Sequence, residues 1–131
     1  MAEVTGEFTL TGMGGEDELG ETPALRITHA SGEQTFSGGI EGSGHVDWLL
    51  GYRADRTAAL VGLQRIDGSL DGARGSLVLA SVGSHDGTTS RGHWTIVGGS
   101  GTGDLRGISG DGDWSAGPGP KATFRLRYEL H

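Results

Sequence analysis

Cysteine is absent from the 131 residues. That excludes a disulfide framework, a zinc-thiolate site and a cysteine nucleophile, and it fits a reducing compartment. Basic charge is also scarce: 10 Lys and Arg stand against 17 Asp and Glu, a net charge of -7. The basic residues are scattered and form no stripe. Such a chain repels a phosphate backbone, so no nucleic-acid partner is expected. No apolar run approaches the roughly 18 residues of a membrane span, so no membrane partner is expected either. The stretch from Met1 to Leu10 lacks the basic start and apolar core of a secretory signal. These features together predict a cytoplasmic protein. Helical periodicity is missing as well. Residues 15–25 come nearest to it, but Gly20 and Pro23 interrupt them.

Glycine is abundant, with 27 residues. It does not recur at every third position, which excludes collagen. Alternating apolar residues are too frequent for a disordered linker. Tight turns and bent strands remain, where glycine supplies positive φ and kinks. Period-two alternation recurs along the chain. Val4, Phe8 and Leu10 share one face, Leu25, Ile27 and His29 another. Val46, Trp48, Leu50 and Tyr52 alternate with His45, Asp47, Leu49 and Gly51, and Phe124, Leu126, Tyr128 and Leu130 with Thr123, Arg125, Arg127 and Glu129. Ala58–Leu70, Ser76–Val82 and His93–Val97 are apolar on both sides, as strands covered by a partner subunit or another segment would be. Turn signals separate the strands at Ala54-Asp55, Leu70-Asp71-Gly72, Asp86-Gly87 and 117–120.

This pattern predicts an all-β single domain over residues 1–131, a closed antiparallel barrel of about eight strands. Sealing the first strand against the last removes two exposed edges. A sandwich stays open as an alternative, because periodicity does not separate the two. Whether Trp94 and Ile96, or His93, Thr95 and Val97, face inward is also open.

Few motifs carry chemistry. Residues 98–107 are rich in glycine, but no helix or βαβ unit surrounds them and no Gly-Lys-Ser/Thr ending follows. They read as a structured turn between strands. No Gly-x-Ser-x-Gly elbow is present. His85 and His93 lie across a turn, yet no third ligand accompanies them, so neither a metal nor another cofactor is expected. His45 reads as a solvated histidine, and Asp111 and Asp113 as turn residues. Polar residues on inward faces stand out instead: Gln64, Ser81, Tyr52, Tyr128 and His29. Each must find a partner, at a cost of about 1–3 kcal/mol otherwise, or serve as a polar group in an apolar pocket. Gly62, beside Gln64, would leave room for a ligand.

Gly39–Gly42, Leu60–Arg65, Gly75–Leu79 and Val97–Gly110 resemble a family of short bacterial proteins related to the allene oxide cyclase barrel. The last of these is similar to the Gly-Thr-Gly turn of the cyclases and of dirigent proteins. The resemblance runs from about Phe36 to Leu130. It implies an eight-stranded barrel with a central apolar cavity, and it admits a homo-oligomer, dimer or trimer. The family commonly carries glutamate at the position of Gln64 and histidine at that of Ser81; this chain has neither.

The expected function is binding of a small apolar or amphipathic molecule, with a cofactor-free cyclase or isomerase as the enzymatic form. Gln64, Tyr52 and Ser81 are then the candidate catalytic groups, donating hydrogen bonds to a carbonyl or oxyanion. Trp48, Leu50, Leu60, Gly62, Leu79, Trp94, Phe124, Leu126, Tyr128 and His29 are the candidate lining. A non-catalytic carrier and a filled structural barrel are the alternatives.

Overall fold

The computed structural model describes residues 1–131, the side chain of Met13 excepted. Eight antiparallel strands follow one another around a closed barrel. They are β1 (Ala2–Glu21), β2 (Arg26–Gly38), β3 (Ile40–Tyr52), β4 (Ala58–Leu70), β5 (Ala73–His85), β6 (Ser90–Ile96), β7 (Ser109–Ala116) and β8 (Lys121–Glu129). Closure comes where the alternating termini meet: Ala2–Thr9 of β1 pair with Tyr128–Lys121 of β8. The sandwich alternative falls with that pairing. No helix among the described residues is long and apolar enough to cross a membrane.

Register sets the barrel's stagger. Tyr52 of β3 leads across paired residues to Ala58, His85, Ser90, Ala116, Ala122, Phe8 and Phe36, and back to β3 at Gly42. The path returns ten positions from its start. A stagger of that size over eight strands tilts them by roughly 40°.

Four large rings fill the interior because glycine stands beneath each. Phe124 covers Gly6, Phe36 covers Gly44, Trp48 covers Gly62 and Trp114 covers Gly92. A Cβ built on Gly62 would lie 2.5 Å from the Trp48 ring, and one on Gly44 would lie 2.7 Å from Phe36. Here glycine serves close approach, with the ring restoring the apolar cover that glycine lacks. Phe8 stacks on Phe36 at 5.1 Å and on Trp94 at 5.8 Å. Trp94 and Leu126 are fully buried, and burying side chains of this size contributes roughly 1.5–3 kcal/mol each.

The two ends differ. At one, residues 97–108 fold beneath the barrel through a short 3₁₀ turn, η1 (Gly103–Leu105), and insert Leu105 and Ile108. Thr102 Oγ1 accepts from the Ser76 amide at 3.0 Å, and Ser100 Oγ accepts from the Val78 amide at 3.1 Å. The glycine-rich segment is thus a structured turn that plugs the floor. At the other end, β1 and β2 run on as a bulged hairpin past the last barrel row. Residues 15–21, the nearest approach to a helical pattern, are strand.

Candidate functional site: the barrel mouth

Small residues interrupt the row that closes the open end. Ala58, Ala116 and Ala122 occupy three positions of the last cross-strand row, where deeper rows carry Trp94, Phe124 and Leu79. The space they leave is a cavity of about 350 Å³. Phe8, Trp48, Leu50, Leu60 and Trp114 form most of its wall, with Leu10 and Pro120 at the rim. That volume lies within the range of small-molecule sites. A larger depression of about 1050 Å³ crosses the outer wall at Gly6, Gly83 and Gly92. It is open to solvent, and Glu7, Arg91, Asp113 and Arg125 are among its lining residues. It offers an apolar guest far less cover.

Polar groups enter the mouth at few points. Tyr52 donates to Glu16 Oε1 of the overhanging hairpin at 3.3 Å. Arg26 lies 4.8 Å over the Tyr52 ring and pairs with Glu18 at 3.0 Å, which ties the hairpin to the rim. Burial, reinforced by the Glu16 carboxylate, holds the Tyr52 phenol above its ordinary pKa. It therefore remains a donor at neutral pH. Across Ala58, His85 Nδ1 is hydrogen-bonded to Ser90 Oγ at 2.8 Å. Gln34 also reaches the cavity wall.

The sequence-derived candidates divide into three groups. Trp48, Leu50, Leu60 and Tyr52 line the mouth. Leu79, Trp94, Phe124, Leu126 and Tyr128 point inward but belong to the packed core below. Trp94 and Ile96 therefore take the inner face of β6, with His93 outside. Gln64 and Ser81 are buried with their hydrogen bonds directed into that core. Trp94 Nε1 donates to Gln64 Oε1 at 2.6 Å, Gln64 Nε2 donates to Gln34 Oε1 at 2.9 Å, and Trp114 Nε1 donates to Ser81 Oγ at 2.9 Å. Neither residue is part of the mouth lining.

Several expectations need correction. His29 lies on the outer face, bonded to Asp47 Oδ1 at 3.1 Å, because Thr28, Ala30 and Gln34 take the inner positions of β2. Ile27 is exposed with it. Gly62 leaves no space for a ligand, since the Trp48 ring occupies it. His85 and His93 do not meet: His85 lines the mouth, while His93 pairs with outward Val82. Asp111 and Asp113 lie within β7, and Asp111 pairs with Arg127 at 3.4 Å. His45 is outward but not merely solvated, being held by Glu33 at 2.6 Å and Asp47 at 3.2 Å.

His85 lines the mouth although the sequence reading does not place it there. Leu77, Leu79 and Ser81 define an inward face that reaches His85 two alternations later, so its position is legible from the strand's period.

The comparisons agree on family and fold. The profile of the DUF3224 family, a protein family of unknown function, matches residues 4–128. A crystal structure of a DUF3224 protein of unknown function from Shewanella oneidensis MR-1 is similar, with 25% sequence identity and a TM-score of 0.84. The likeness covers 100% of this chain and 98% of that one. No curated protein matches the chain.

Proposed function

The chain belongs to the DUF3224 family, and on that footing we propose that its barrel mouth binds a small, largely apolar molecule. One observation carries the reading: an apolar cavity of about 350 Å³ remains open where three alanines replace the large residues of the deeper rows. Trp48 and Trp114 would contact the flat or aliphatic body of the guest. Tyr52 and the His85–Ser90 pair would meet a carbonyl or hydroxyl at its rim. Native mass spectrometry of the purified protein, followed by extraction of any bound species, tests this. A one-to-one apolar adduct supports it; a bare protein that takes up no apolar compound at saturating concentration refutes it.

A carrier needs no more than this cavity. The isomerase or cyclase reading has its own support in His85. That imidazole, oriented by Ser90, faces the same space as the Tyr52 hydroxyl, with Ala58 between them. A guest lying over Ala58 would lose a proton from carbon to His85 while Tyr52, turning its single O–H from Glu16 to the guest, stabilises the developing enolate oxygen. Return of that proton at another carbon completes the isomerisation without a cofactor. Gln64 and Ser81 would then support the wall through Trp94 and Trp114 rather than touch the guest. A kinship with allene oxide cyclases would rest on the barrel and its Gly-Thr-Gly turn alone, and the absence of cysteine fits a cytoplasmic setting.

A further inference from the structure

The outer wall of β3, β4 and β5 carries an unusual load of exposed apolar side chains. Leu49 is 48% exposed, Val61 52%, Leu63 53% and Val82 64%. Leu49, Val61 and Val82 form one cross-strand row, and Leu63 and Ala80 pair in the next. With Val78 they surround a shallow depression of about 650 Å³. Isolated surface leucines need no explanation, but a contiguous set across three strands marks an interaction surface.

We infer that this face is the two-fold interface of a homodimer, with β4 and β5 of one copy packed on β5 and β4 of another. Charge argues for a second copy as the occupant. The chain carries a net charge of -7, so copies repel over most of their surfaces. Elsewhere the outer strand faces present Glu3, Glu7, Glu33, Asp111, Asp113 and Glu129, while Glu41 and Asp47 of β3 border the apolar face and Asp47 and Arg65 lie together at the edge of its depression. Among the described residues, Asp67 is the sole carboxylate on the outer faces of β4 and β5. An axis running between these strands lays Val61 over the partner's Val82 and Leu63 over the partner's Ala80. The same axis brings Asp67 one row from the partner's Arg74. Asp67 pairs with Ser76, and Ser69 with Arg74, in neighbouring rows of the sheet. Neither Asp67 nor Arg74 has an ion-pair partner within 4.0 Å among the described residues of its own chain.

Size is consistent with this arrangement. Both strands have 13 residues and pair along their whole length. With β3, which contributes Leu49 to the row of Val61 and Val82, the face is three strands or roughly 15 Å wide, and a contact roughly 40 Å long covers about 600 Å² per copy, near the lower end of stable interfaces. The interface leaves the mouth free, because Tyr52, His85 and Ser90 point into the barrel.

Sedimentation velocity over a concentration series tests the proposal, with thermal melts confirming that each variant folds. Wild type is expected to be a dimer at about 100 µM and to dissociate with a micromolar constant. Leu63→Glu is expected to weaken association by at least about 100-fold. Asp67→Arg and Arg74→Asp should each weaken it by about 10-fold, and the double variant should restore it. The charge pair decides the matter even if Leu63→Glu fails to fold. A wild type that stays monomeric at about 100 µM overturns the proposal and leaves the face to a different partner. So does a dimer untouched by Leu63→Glu, or by both charge reversals.

Discussion

The Trp94 indole donates to Gln64 at 2.6 Å in the middle of the barrel, where both side chains are fully buried. The bond has two consequences. It places a polar residue at the heart of an apolar core without an unmet acceptor. Together with the bond from Gln64 to Gln34, it also fixes the layer on which the mouth cavity rests.

Replacing Gln64 by Leu leaves the Trp94 N–H and the Gln34 carbonyl oxygen without that partner. A loss of about 2–4 kcal/mol in unfolding free energy is expected, read by urea denaturation. Because Gln64 is outside the lining, a guest bound at the mouth should lose little affinity in a folded variant. A large affinity loss at unchanged stability would instead place Gln64 in the site.

Thr28 gives the opposite expectation. Its Oγ1 is buried and makes no hydrogen bond among the described residues, the Tyr52 hydroxyl being a polar neighbour that it approaches too loosely to be satisfied. Thr28→Val keeps the shape and the β-branch while removing the orphaned hydroxyl. Stability should rise by about 1 kcal/mol, seen as a higher thermal midpoint. A fall would mean that the hydroxyl is satisfied in solution.

Gly62→Ala should destabilise the barrel by about 1–3 kcal/mol. The new methyl would meet both the Trp48 ring and the Asp47 carbonyl oxygen, a backbone atom that does not swing aside. Substituting Ala for Gly15, where a Cβ meets nothing within 4 Å, is the matched control and should cost little.

Alkaline pH should weaken the fold through its tyrosines. Burial, aided by Asp71, raises the Tyr128 phenol, and burial with Glu16 raises that of Tyr52. A phenol raised in the folded state binds its proton more tightly there than in the unfolded chain. Its contribution is intact below the unfolded value of about 10 and is lost as pH rises through the folded value. Thermal midpoints should therefore drop above about pH 10, and Tyr128→Phe should flatten that drop. A midpoint that rises over this range would contradict the assignment.

The sequence disclosed the barrel more fully than the site. Closure was legible because Phe124, Leu126 and Tyr128 alternate cleanly and Val4 and Phe8 answer them on the strand they pair with. The β2 face is misleading in sequence because Ile27 is more apolar than Thr28, yet Thr28 is the buried one. Register is set further along by Phe36, which enters the core and carries Gln34, Ala30 and Thr28 with it. A one-residue choice of face inverts every side chain. Gln64 and Ser81 were rightly placed inside, but their partners, Trp94 and Trp114, lie 30 and 33 residues away. No local pattern shows that such groups satisfy one another. The mouth itself is made by alanines, which give no signal until the register gathers them in one row.

Binding of a neutral apolar fluorophore, N-phenyl-1-naphthylamine, to wild type and to Ala116→Phe tests the mouth most directly. The fluorophore should bind wild type one-to-one and quench Trp48 and Trp114, and Ala116→Phe, filling the row from within, should abolish both effects at an unchanged thermal midpoint. No uptake by wild type, or equal uptake by the filled variant, would contradict a binding site at the open end of the barrel.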